Sequence, residues 1–123
     1  MATLSKLALQ PAGTTGDGLG ILVSATATPG TAIHTAGSIA TTIDEIWLYA
    51  YNHDTASLNL TIEFGGVTSP KDVILSAIAA QSGLVLICAG LIIQGNASPK
   101  IVRAFASSAN KISIFGYVNR ITA

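Results

Sequence analysis

At 123 residues the chain is long enough for one domain with a sizeable core and no disulfide staples. Half of it is hydrophobic and only 10% is charged, against about 25% in ordinary soluble domains. Net charge is zero, and neither half carries the basic cluster expected of a nucleic-acid binder.

A surface so poor in ions calls for cover, and lipid is not the expected cover. The longest uncharged apolar run, residues 83–93, is about half of the roughly 20 residues that a spanning helix needs. An outer-membrane barrel would need more and longer alternating strands. Residues 1–13 lack the continuous apolar stretch of a secretion signal. Protein is therefore the expected cover. Charge is also uneven along the chain. Residues 1–70 set Lys6 against five acids, a net −4, and residues 71–123 set five cations against Asp72, a net +4. On separate edges those halves would attract in a head-to-tail contact; mixed in one sandwich they would cancel. The lone Cys88 sits inside the apolar run and reads as a small buried hydrophobe, in keeping with a reducing cell or indifference to redox.

In chain order, residues 1–19 differ from the rest. Pro11, Gly13, Gly16 and Gly18 break the stretch, and Leu4, Leu7 and Leu9 form a short apolar tip. The segment reads as an N-terminal arm, extended or weakly helical, followed by a flexible Gly/Thr linker. Its leucines would be idle in a free tail, so they are expected to dock on a neighbour. Residues 20–123 then read as one β-sandwich domain. A first strand is expected over residues 21–28, closed by Pro29-Gly30, and a second over 31–36, closed by Gly37-Ser38.

Residues 43–66 organise the whole and read as a β-hairpin. The second limb alternates cleanly, with Leu58, Leu60, Ile62 and Phe64 on one face and Ser57, Asn59, Thr61 and Glu63 on the other. The first limb is apolar on both faces: Ile46, Leu48 and Ala50 on one, Trp47, Tyr49 and Tyr51 on the other. One face belongs to the domain's core, and the other is expected to meet a neighbouring subunit. Asn52-His53-Asp54-Thr55 supplies the turn. Further strands are expected over 72–78, 84–88, 91–94, 100–107 and 111–122, with Gly90 marking a bulge or short turn. Residues 73–80 alone could form a short helix. About eight antiparallel strands with turns every 8–12 residues give an all-β, jelly-roll-like β-sandwich, with an immunoglobulin-like order as the rival.

Residues suited to catalysis are few. His34, in a strand, reads as a structural or interface histidine, and His53-Asp54 is explained by turn chemistry. Asp44 and Glu45 are neighbours in a strand, face opposite sides, and so do not make a paired acid/base site. Asp17-Gly18-Leu19-Gly20 has no following helix or lysine and is not a phosphate loop. No metal-ligand spacing and no Gly-x-Ser-x-Gly elbow occurs. An enzyme is not expected, nor a cofactor or metal. Trp47, Tyr49 and Tyr51, with Asn52 and Asp54, also suit a sugar-stacking face, although an aromatic row packs against protein more often.

The stretches Trp47-Leu48-Tyr49-Ala50-Tyr51-Asn52, Leu58-Asn59-Leu60-Thr61-Ile62-Glu63-Phe64-Gly65-Gly66 and Ile114-Phe115-Gly116-Tyr117-Val118-Asn119-Arg120-Ile121 resemble small virion structural proteins of tailed bacteriophages. The resemblance covers residues 20–122. It implies a β-sandwich present in many copies on the particle, foremost a capsid decoration (cement) protein. Such a protein binds the major capsid protein as a homotrimer and is assembled in the bacterial cytoplasm. A head–tail connector, a tail-tip protein or a lectin-like module for host attachment is the alternative. In each structural reading the expected contacts are Leu4, Leu7 and Leu9 of the arm and the aromatic row Trp47, Tyr49 and Tyr51.

Overall fold

The computed structural model describes residues 2–13 and 16–123. Among them are nine strands: β1 (Thr3–Ala8), β2 (Ile21–Leu22), β3 (Thr31–Thr35), β4 (Thr42–Asn52), β5 (Leu58–Phe64), β6 (Val73–Ile78), β7 (Val85–Gln94), β8 (Ile101–Ala106) and β9 (Ile112–Thr122). All pairings are antiparallel. One sheet, sheet A, has the order β1–β9–β4–β7, with β2 also on β9, and the other, sheet B, has the order β3–β8–β5–β6. From β2 onwards, only β5 and β6 are successive strands of the same sheet. Every other connection crosses the sandwich, which is the jelly-roll arrangement of nested Greek keys.

The alternation that marks the strands also builds the core. Ile46, Leu48 and Ala50 of β4 face Leu60 and Ile62 of β5, with Ile112, Ile114 and Val118 of β9 and Val102 and Ala104 of β8 beside them, all fully buried. Each larger side chain so buried is worth about 1.5–3 kcal/mol relative to exposure. Every even-numbered residue of β4 is buried and every odd one half-exposed, so the two-faced strand has its own core on one side only.

The expected hairpin is absent. β4 pairs with β7 and β9, whereas β5 pairs with β6 and β8. The two limbs lie in opposite sheets and face each other through the core. Alternation tells which face of a strand is buried, not which strand lies beside it. The connection over residues 53–57 is an arch that bridges the sheets, about 10 Å apart in such folds. Asn52 pins it: its Nδ2 donates to the carbonyls of Ala56 and Ile78, and its Oδ1 accepts from the Asp54 N–H.

The arm is likewise not free. Residues 3–8 form β1 on the edge of β9, and β2 continues along that same edge in the same direction. Together they make one interrupted strand, which the chain leaves after Ala8 and rejoins at Ile21. Leu9 enters the core. The main chain of Gln10 is tied to β3: its N–H donates to His34 Nδ1, and its carbonyl accepts from the Thr35 N–H. An unpaired edge of β9 offers hydrogen bonds that an arm in water does not improve on. The linker reading at Thr14 and Thr15 lies outside the described residues.

Smaller differences have local causes. The expected strand over 21–28 shortens to two residues because side chains satisfy the backbone that follows. Thr31 Oγ1 accepts from the N–H groups of Ser24 and Ala25, and the buried Glu63 accepts from Thr28 Oγ1 and the Gly30 N–H. Residues 84–88 and 91–94 merge into β7, whose register shifts twice against β4, with Gly90 at φ +74°. Residues 73–78 are strand β6, not helix.

Candidate interaction surface

Side chains that alternate out of the core populate the outer face of sheet A. Register defines it. Across β9 and β4, Ile121 lies beside Ile43, Asn119 beside Glu45, Tyr117 beside Trp47 and Phe115 beside Tyr49. On the β1 side, Leu4 flanks Ile121 and Ala8 flanks Tyr117. On the β7 side, Ile92 flanks Glu45, Ala89 flanks Trp47 and Leu86 flanks Tyr49. The result is an aromatic band and an aliphatic band separated by the row Lys6–Asn119–Glu45.

Its centre is ordered. Trp47 and Tyr117 stack, with ring centroids 6.0 Å apart and planes 8° from parallel, and the Lys6 ammonium lies 4.8 Å from the Tyr117 ring centroid. Such cation–π and stacking contacts are worth about 0.5–1.5 kcal/mol each. Glu45 Oε1 accepts from Trp47 Nε1 at 2.8 Å and from Asn119 Nδ2 at 3.0 Å. Those two hydrogen bonds favour the charged carboxylate and lower its pKa. The face thus presents stacked planar rings, with its acid and its base already engaged.

The sequence-derived contact residues divide on this geometry. Leu4, Trp47, Tyr49 and Tyr51 share the outer face of sheet A. Leu7 turns inward against the core and Leu9 is buried within it, so those two are spent on the chain's own packing and are not free to dock on a neighbour. Tyr117, Phe115, Ile43, Ile121, Leu86 and Ile92 complete the face and were not singled out. Their alternation within each strand was visible; their place beside Trp47 depends on strand order.

The histidines and acids are otherwise committed. His34 is fully buried; Nδ1 accepts the Gln10 N–H at 3.1 Å, so Nε2 carries the proton and donates to Asp44 Oδ2 at 2.7 Å. Asp44, also buried, receives Arg120 through two parallel bonds, Nε at 2.7 Å and Nη2 at 2.9 Å. Burial pushes the Asp44 carboxyl up, but the hydrogen bonds and charge of Arg120 and His34 outweigh it and hold the pKa at about 2. With both ring nitrogens taken, His34 ties the β1–β2 excursion and β3 to β4 and has no lone pair left for a reacting molecule. His53 accepts or donates through Nδ1 with the Tyr51 hydroxyl on the surface. Cys88 is buried, its thiol pushed up by burial and directed at the Ile46 carbonyl. Among the described residues, no group of three His, Cys, Asp or Glu side chains is placed to hold a metal ion.

One open cleft of about 600 Å³ lies at an end of the sandwich, lined in part by Lys71, Asp72, Lys100 and Gln94. Lys71 is already paired with Asp72 at 2.6 Å. With the geometry in view, the chain was compared with protein-family models, curated proteins and solved structures. None matches. By its own chemistry the surface can bury apolar area against another flat, apolar surface.

Proposed function

We propose that this chain is a non-enzymatic structural subunit that assembles with copies of itself, and that it is a virion protein of the capsid-decoration kind, bound to a major capsid protein on a phage head. The observation that carries the reading is the outer face of sheet A. Trp47, Tyr49, Tyr117 and Phe115 form an aromatic patch, with the aliphatic Ile43, Ile121 and Leu4 beyond the row Lys6–Asn119–Glu45, on a chain with few ions elsewhere to keep copies apart. A cluster of partly exposed aromatic side chains on one sheet face fits an interaction site. Aromatic rings held by stacking and hydrogen bonds form such a contact with little further ordering cost. Jelly rolls serve as capsid domains and as lectins alike, so topology supports the reading without deciding it.

In this reading the mechanism is area and not chemistry. A lasting assembly interface buries about 2,000 Å² or more and is largely apolar. Spread over many copies, such contacts clamp neighbouring subunits together. The carbohydrate-binding alternative draws less support, because Asn52 is sealed inside the arch with its amide fully used. Asp54 Oδ1 is taken by the Thr55 N–H. Of the polar groups expected to flank the tyrosines, the Asn52 amide is thus withdrawn and one Asp54 oxygen is already engaged.

The test is the mass of the purified chain in native buffer, with binding to capsid shells as a second arm. A stable oligomer that loses its mass when Trp47 and Tyr117 are replaced is the expected result. A monomer at every concentration, with no affinity for capsid shells, would defeat the proposal.

A further inference from the structure

The outer face of sheet A ends at β7, which, like β6 at the edge of sheet B, carries no ion and, at ten residues, is the longer of the two. β1 carries Lys6, β4 carries Asp44 and Glu45, β5 Glu63, β8 Arg103 and β9 Arg120, whereas residues 73–99, which hold β6 and β7, carry no charged side chain. β7 is also the last strand of its sheet among the described residues. Natural proteins usually blunt such an edge with a charge or a proline. The opposite sheet ends in β6, which touches β4. Leu91, on the inner side with Ile46, is 44% exposed; Leu86 and Ile92, on the outer side, are 50% and 62% exposed. The outer side of this strand is open, and its inner side is open at Leu91, while Cys88 and Ile93 are buried.

We infer that the β7 flank is the contact between two copies of this chain related by a twofold axis, an inference that rests on the self-assembly proposed above. In a twofold contact each patch meets itself, so any charge near the axis would face its like at a cost. A charge-free edge escapes that cost. Unlike partners are selected by complementary charges, and β7 offers none to read. A lasting contact needs about 800 Å² from each partner. The edge of a ten-residue strand does not reach that alone, but it continues without a break onto Tyr49 and Trp47 beside it. The two register shifts and Gly90 kink β7, so the contact is side-chain packing by Leu86, Leu91 and Ile92. Backbone pairing is confined to residues 91–94, where the strand runs true.

The experiment compares wild type with the Leu86→Lys/Ile92→Lys variant by light scattering across a dilution series, with thermal melting as the check on folding. Both side chains leave the core untouched, so the melting point should move little while the mass of the assembly halves. A dimer, or a hexamer if a threefold contact lies elsewhere, is expected of the wild type. Independently of that variant's folding, single cysteines at positions 86, 91 and 92 in a Cys88→Ala background are oxidised mildly. The one nearest the axis should link two copies through itself. A mass unchanged in the lysine variant, a bare trimer, or linkage only when a second cysteine replaces Ser5 of β1 would overturn the twofold contact and leave self-assembly standing. A wild-type monomer at all concentrations would overturn both.

Discussion

Replacing Asp44 by Asn removes the charge at the centre of the buried His34–Asp44–Arg120 chain while keeping its shape. In the folded chain the Asp44 carboxyl sits at about 2 instead of its ordinary 3.8. At about 1.36 kcal/mol per pKa unit, that gap gives the folded state roughly 2.5 kcal/mol. The folded carboxyl holds its proton less tightly than the unfolded one. Its contribution is therefore complete above pH 3.8 and fades as the pH falls towards about 2. The asparagine cannot follow that titration. Its NH2 must also turn towards either the His34 Nε2–H or an Arg120 N–H, setting donor against donor. Breaking one side of a buried pair costs about 3–5 kcal/mol. Because 23% of the Arg120 side chain is exposed and water can reach it, the expected loss lies at the lower end, about 3 kcal/mol. Urea unfolding followed by Trp47 fluorescence at several pH values measures both quantities. Asp44→Asn should be less stable at neutral pH, and the two curves should converge in acid. Parallel curves from about pH 5 down to about pH 2 would show that Asp44 is not the titrating centre.

Gly116→Ala places a methyl group on the Trp47 carbonyl oxygen, backbone against side chain with no rotamer to relieve it. A loss of about 3 kcal/mol and a lower melting point are expected, and an unchanged melt would mean that β9 and β4 are not in that register. Leu9→Ala should cost about 2–3 kcal/mol because Leu9 is 5% exposed, whereas Leu4→Ala on the outer face should stay within about 0.5 kcal/mol; equal costs in chemical denaturation would contradict the seating of the N-terminal segment. Trp47→Ala forfeits its stack on Tyr117 and should lower monomer stability by about 1 kcal/mol while weakening self-association about tenfold or more, read by sedimentation; intact association would remove the aromatic face from the interface.

The strands with one apolar face and one polar face were legible from their spacing. β5 and β8 alternate, and β4 advertises two apolar faces through Ile46, Leu48 and Ala50 against Trp47, Tyr49 and Tyr51. Neighbours were not legible. β4 and β5 read as a hairpin because a turn joins two good strands, yet Leu48 and Leu60 are buried against a common core from opposite sheets. β1 was missed because Ser5 and Lys6 interrupt its pattern, and it becomes a strand only because β9 leaves an edge for it. The aromatic row was found, but its extension through Tyr117 and Phe115 required the pairing of β9 with β4. The Asp44–Arg120 pair spans 76 positions in sequence, a separation at which local pattern carries no information. Asp44 looked like an ordinary strand acid until the fold closed over it.

β9 follows all its partners in chain order, yet it lies inside sheet A, with β4 along one side and β1 and β2 along the other. Until it is made, β4 keeps a long bare margin and the N-terminal strand has nowhere to lie. During synthesis, sheet A therefore cannot be completed before β9 is made, a long-range pairing of the kind that is slow while partly folded intermediates wait. For a chain with so few ions to hold such intermediates apart, the yield of folded protein should depend on how dilute the nascent molecules are kept while residues 112–122 arrive.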